Sequence, residues 1–128
     1  MSGMRIIGID VGEKRTGVAI SDENGEYAFP KTVLETPSEV TREIITLAHG
    51  AEVKTIVLGE SKDFGGRSNP IMKKIDILRD ALKAEGFTVV YEPEFFSSIE
   101  AERFQGKTEH SDASAAAIIL QRYLDKKK

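Results

Sequence analysis

Arg5-Ile6-Ile7-Gly8-Ile9-Asp10-Val11-Gly12, followed by Arg15-Thr16-Gly17-Val18-Ala19-Ile20, is the stretch that decides the fold. Two short apolar runs, rich in β-branched residues and bounded by glycines, predict the two strands of a hairpin. Asp10 closes the first run. An ionised carboxylate at the end of a fully apolar strand is costly unless it has a partner, a proton or a metal. Gly12 and Gly17 let backbone turn sharply or approach a ligand without a Cβ clash. A turn-opening aspartate is the plain alternative, because Asp is common in turns. The strand has no other polar anchor, which favours a metal or phosphate handler.

Outward from this hairpin, strands alternate with helices. Asn24-Gly25 is a turn signal, and Tyr27 to Leu34 reads as a third strand, with Pro30 marking an edge strand or a bulge. Thr36-Pro37-Ser38-Glu39 is a capping box opening a helix with Val40, Ile44, Leu47 and Ala48 on one face, stopped at Gly50. Lys54 to Leu58 predicts a fourth strand, ending at Gly59-Glu60. A polar loop from Ser61 to Asn69 leads to Pro70 and a helix with Ile71, Ile75, Leu78 and Leu82 inward, closed by Gly86. Phe87 to Tyr91 is the fifth strand. Ser97-Ser98-Ile99-Glu100 opens a short helix ending near Gly106. The last helix starts at Ser111 or Asp112 and runs through Ile118, Ile119 and Tyr123, before a Lys126-Lys127-Lys128 tail.

Composition bounds the function. The 128 residues fit one domain, 1–128, at ordinary soluble composition with 40% hydrophobic and 30% charged residues. No apolar run approaches the roughly 18 residues of a membrane span. The N-terminus lacks the layout of a signal peptide, so a cytoplasmic location is expected. With no cysteine, disulfides, thiolate zinc sites and thiol nucleophiles are excluded. A net charge of −3 does not advertise a nucleic-acid binder, though acids gathered in a metal site count against the total.

The element order predicts an α/β architecture: an antiparallel three-stranded unit joined to a parallel βαβ segment, with helices on both faces of a five-stranded mixed sheet. A right-handed crossover returns the fourth strand beside the first. The carboxyl ends of the parallel strands then lie together, where open α/β sheets bind ligands. Asp10, Glu60, Glu92 and Glu94 fall at those ends, and Asp112 opens the helix that can cover them. Converging carboxylates repel unless a divalent cation neutralises them. An oxygen-only donor set favours Mg²⁺ or Mn²⁺.

Asp-x-Gly-x-x-Arg-x-Gly at the start, Glu-x-x-Ser-Ser-x-Glu-Ala preceded by a strand, and Asp-x-x-Ala-Ala with Ile-Leu-Gln-Arg-Tyr at the end resemble the YqgF (RuvX) family. The likeness runs from Arg5 to Leu124 in the family's order and spacing. It implies an RNase H-like fold and a bacterial nuclease of the kind assigned to Holliday junction resolution and to maturation of the 16S ribosomal RNA precursor. The family's acidic site falls on Asp10, Glu94 and Asp112. Where the family has Asp-Glu-Arg-Leu-Thr-Thr, this chain reads Pro93-Glu94-Phe95-Phe96-Ser97-Ser98, keeping the glutamate and the hydroxyl pair but losing the flanking Asp and Arg. Gly59-Glu60-Ser61 replaces a Gly-Leu-Pro. That puts an extra acid where the related RuvC resolvases carry their second carboxylate, so Glu60 is expected either to share or replace the role of Glu94 or to be a solvated loop residue.

The reading is therefore a hydrolase of nucleic-acid phosphodiester bonds using two Mg²⁺ or Mn²⁺ ions held by Asp10, Glu94, Asp112 and Glu60. Arg15, Lys62, Arg67, Ser97 and Ser98 are the expected substrate contacts. The expected partner is structured RNA or branched DNA, with precursor 16S rRNA trimmed at its 5′ end and ribosomal precursor particles as its setting. A Holliday junction resolvase and a catalytically weakened nucleic-acid-binding module are the alternatives. An Asp-x-Gly hairpin also opens the actin, Hsp70 and sugar-kinase ATPases, but those need two such domains.

Overall fold

The computed structural model describes residues 5–12, 15–35, 40–61, 70–94 and 111–127. Strands β1 (Ile6–Val11), β2 (Arg15–Ser21) and β3 (Ala28–Glu35) come first. Helix α1 (Val40–Gly50), strand β4 (Thr55–Ser61), helix α2 (Pro70–Ala84), strand β5 (Thr88–Glu94) and helix α3 (Ser111–Lys127) follow. The strands form one five-stranded sheet in the order β3-β2-β1-β4-β5. The first three are antiparallel to one another, whereas β4 runs parallel to both β1 and β5. Among the described residues, no helix is long and apolar enough to cross a membrane.

Strand alternation sorts the apolar residues into two cores. Ile7, Ile9 and Val11 of β1 and Ile56 and Leu58 of β4 face one side. There they pack with Val40, Ile44 and Ala48 of α1 and Ile75, Leu78 and Leu82 of α2. Ile6 of β1, Ala19 of β2 and Val57 of β4 face the other side, beneath Ala116, Ile119, Leu120 and Leu124 of α3. Each fully buried Ile or Leu contributes about 1.5–3 kcal/mol, so both faces of β1 are committed. This explains why its sequence is an unbroken apolar run rather than an alternating one.

Close approach fixes α3 on its face. A Cβ built on Gly8 would stand 2.6 Å from Leu120 Cβ and 3.2 Å from the Ala116 carbonyl oxygen. The helix therefore rests directly on the β1 backbone. Gln121 ties α3 to the start of β3: its Oε1 accepts from the Ala28 N–H at 2.9 Å and its Nε2 donates to the Glu26 carbonyl at 2.9 Å.

Ser21, buried at the end of β2, does the same for the sheet edge. Its Oγ accepts from the Ile6 N–H at 2.8 Å and donates to the Asp22 carbonyl at 3.0 Å. Ser21→Ala leaves the buried Ile6 N–H without that acceptor and should cost about 1–3 kcal/mol, read as a lower urea midpoint with an unchanged slope. An unchanged midpoint would show that water replaces the hydroxyl.

The boundaries differ most from the sequence reading at the ends of β4 and β5, while β3 is shifted by one residue. Strand β4 continues through Glu60 to Ser61, and β5 continues past Tyr91 to Glu94, paired residue for residue as Gly59–Glu92, Glu60–Pro93 and Ser61–Glu94. The acids expected just after these strands are inside them, because ladder pairing overrides the low strand preference of Glu and Pro. Pro30 sits on edge strand β3, where the register shifts between Val18 and Ala19 and leaves Lys31 as the extra residue. On α3 the inner face is Ala116, Ile119, Leu120 and Leu124, while Ile118 and Tyr123 are only partly buried. The capping boxes at 36–39 and 97–100 lie outside the described residues.

Tyr91 shows which way the odd positions of β5 point. Its hydroxyl donates to Asp76 Oδ1 at 2.6 Å and accepts from Arg79 Nη1 at 3.0 Å, both on α2. Burial, reinforced by the hydrogen bond to Asp76, pushes its hydroxyl up to about 12.

Candidate active site

Asp10 is the penultimate residue of β1, opposite Gly17 of β2. Two residues after Gly8, it shares the parity that places Gly8 under α3. It is half-buried and takes part in polar interactions. The hairpin turn beyond it is closed by the Gly12 N–H donating to the Arg15 carbonyl at 2.9 Å. A Cβ on Gly12 would lie 2.5 Å from that same oxygen, so the tight turn requires glycine there. Arg15 follows at once, exposed, as the first residue of β2.

The row of the sheet containing Asp10 extends to β5. One step beyond the Ile9–Leu58 pair, β1 and β4 reach Asp10 and Gly59, and Gly59 pairs with Glu92. Glycines thus flank Asp10 on both sides, and neither neighbouring strand crowds its carboxylate with a side chain. Glu92 is buried, 3% exposed, and Lys126 Nζ from the last turn of α3 lies 2.6 Å from its Oε2.

Glu60 has the opposite parity. It follows Ile56 and Leu58 along β4, the residues that pack against α1 and α2, and is half-buried. The sheet itself therefore separates Glu60 from the α3 face on which Asp10 and Glu92 stand. Glu94 is the last residue of β5, opposite Ser61 and two positions beyond Glu92. Asp112 is the second residue of α3, four before Ala116 and eight before Leu120, in line along the helix with the two residues that rest on Gly8. Lys62, Arg67, Ser97 and Ser98 lie outside the described residues. Among the described residues, no group of three or more His, Cys, Asp or Glu is gathered closely enough to hold a metal ion.

A family model described as RuvX, Holliday junction resolvase, matches residues 4–126. The chain belongs to the RuvX family. Curated relatives provisionally named pre-16S rRNA nucleases match at full length. One from Halothermothrix orenii is 37% identical, covering 95% of both chains. One from Caldanaerobacter subterraneus subsp. tengcongensis is 34% identical, covering 98% of this chain and 99% of its own. Among solved structures, Thermus thermophilus RuvC in complex with a Holliday junction substrate superposes with a TM-score of 0.64 at 17% identity, over 97% of this chain and 95% of that one. The fowlpox virus Holliday junction resolvase gives 0.62 at 14% identity, over 96% and 99%. These likenesses establish the RuvC-like, RNase H-type fold of this RuvX chain, as the strand order already indicates.

Lys126 is the residue that sequence reasoning missed. It stands in the terminal lysine run read from the sequence as a tail, and its partner Glu92 is 34 positions away. No local signal links the two. Glu92 was expected among the converging acids, but not as a buried, ion-paired one.

Proposed function

We propose that this RuvX chain is a divalent-cation-dependent nuclease, with Asp10, Glu94 and Asp112 as its carboxylate set. The observation that carries the reading is the placement of Asp10 between two glycines at the carboxyl end of β1, on the face covered by α3. Position 94 has the parity of Glu92 on the same sheet, and position 112 is in register along α3 with the residues over Gly8. All three donors are oxygens, a chemistry suited to Mg²⁺ or Mn²⁺. Bound there, the cation would supply Lewis-acid activation of water and neutralise charge on the scissile phosphate, as one ion or as a pair. Asp10 would hold the cation at the carboxyl end of β1, where both neighbouring strands carry glycine in its row. Arg15, exposed at the far side of the same tight turn, is suited to hold a phosphate oxygen of the strand being cut. Glu60, on the opposite face of the sheet, is left out of this set.

The names of the relatives point to precursor 16S rRNA as the substrate; trimming of its 5′ end is the processing step proposed for this chain. The family description and the RuvC-like fold favour a second reading, branched DNA. Cleavage of a precursor 16S rRNA leader and of a four-way DNA junction by the purified protein in Mn²⁺ separates them; preference for the RNA supports the first.

The carboxylate assignment has its own test. Glu94→Gln should lower Mn²⁺-dependent cleavage at least about a hundredfold, by analogy with losing one transition-state charge contact, while Glu60→Gln leaves it within about twofold. Loss of activity in Glu60→Gln with none in Glu94→Gln would reverse the assignment.

A further inference from the structure

Glu92 poses a question that the nuclease reading leaves open. It is a buried carboxylate in the same row and on the same face as Asp10, with only Gly59 between them. Two strand spacings separate the backbones by about 10 Å. That span lies within the combined reach of an aspartate and a glutamate on one face that would both turn toward a cation held between them. Nothing on β4 stands in the way, since Gly59 has no side chain. Yet Glu92 Oε2 is held by Lys126 Nζ at 2.6 Å, from the far end of the helix whose first turn carries Asp112.

We propose that Lys126 is a positioning residue that withholds Glu92 from the metal site by pairing with it, and so keeps the carboxylate set to Asp10, Glu94 and Asp112. This rests on the proposed carboxylate site. A buried acid this close to a cation would otherwise be drawn into its coordination shell, because an uncompensated buried charge is strongly unfavourable. An additional carboxylate binds the cation more tightly and fills a position that substrate phosphate or water must occupy, so the pairing favours turnover over affinity. Lys126 is itself well placed for this: its side chain is 61% exposed while that of Glu92 is 4% exposed, so the ammonium stays hydrated as it covers the acid.

Mn²⁺ binding by titration calorimetry on the full chain tests the idea without relying on activity. Lys126→Met should bind Mn²⁺ about tenfold more tightly than wild type, with lower cleavage at saturating metal. Glu92→Gln should bind as wild type does, and the double variant Glu92→Gln/Lys126→Met should return to the wild-type affinity. Lys126→Arg should change neither quantity. A lower melting temperature in Lys126→Met with unchanged Mn²⁺ affinity would make the pair merely structural and overturn the proposal. Weaker Mn²⁺ binding in Glu92→Gln would overturn it as well, by showing that Glu92 is already a ligand; this variant removes a charge rather than stranding one, so it remains informative even if Lys126→Met folds poorly. Absence of Mn²⁺ binding in wild type and Lys126→Met alike would instead overturn the carboxylate site itself.

Discussion

Asp10→Asn should abolish metal-dependent cleavage and leave the fold in place. Asn keeps the size and most of the hydrogen-bonding capacity of Asp but removes the charge a cation requires. A metal ion contributes several kcal/mol of transition-state charge stabilisation. At about 1.4 kcal/mol per tenfold in rate, its loss lowers turnover by about a thousandfold or more. Thermal unfolding checks the second half of the expectation. The apolar residues of β1 are untouched and the two flanking glycines leave room for the amide, so Tm should stay within a few degrees of wild type. Cleavage unaltered in saturating Mn²⁺ would remove Asp10 from the site.

The second large effect comes from a residue with no chemistry of its own. Gly8→Ala puts a methyl group 2.6 Å from Leu120 Cβ and 3.2 Å from the Ala116 carbonyl. Neither atom is the end of a flexible side chain, so α3 must move as a body. Such overpacking costs about 1–3 kcal/mol, which corresponds to a Tm lower by about 5–15 °C for a domain of this size. Because α3 also carries Asp112, the displacement should weaken Mn²⁺ binding and cleavage at temperatures where the variant is still folded. Positioning is steep in this respect: a shift of about 1 Å can cost about a hundredfold in rate. A variant that is destabilised yet cleaves normally would show that the site does not depend on the seating of α3.

How much of this was legible in the sequence depends on which force decided each feature. The sheet order was legible, because uninterrupted apolar runs in β1 and β4 announce strands covered on both faces, and the crossover rule then places β4 beside β1. The helix faces of α1 and α2 were equally clear from the spacing of Val40, Ile44 and Ala48 and of Ile75, Leu78 and Leu82. The inner face of α3 was harder. Ala116, Ile118, Ile119, Leu120, Tyr123 and Leu124 surround much of the helix, and the stripe that docks is the one seated on Gly8 and packed with Ile6, Ala19 and Val57. The strand ends were misjudged for a related reason. Glu92 and Glu94 do not look like strand residues; pairing to β4 makes them so, and Lys126 makes burial of Glu92 tolerable.

The ranking of Glu60 illustrates the same limit. In a strand buried on both sides, alternation says that Leu58 and Glu60 share a face but not which face it is. Only the packing of Leu58 with α1 and α2, opposite to α3, assigns Glu60 to the far side from Gly8 and Asp10. The motif resemblance had already favoured Glu94; tertiary packing supplies a physical reason for that preference.

A crystal structure grown with Mn²⁺ is the most direct test of the proposed site, because anomalous scattering locates the ion independently of any activity. The account predicts manganese against the α3 face of the sheet, with carboxylate oxygens of Asp10, Glu94 and Asp112 at about 2.0–2.3 Å and Glu92 still paired with Lys126. Manganese bound through Glu60 on the α1 and α2 face, or bound anywhere without Asp10, would contradict it.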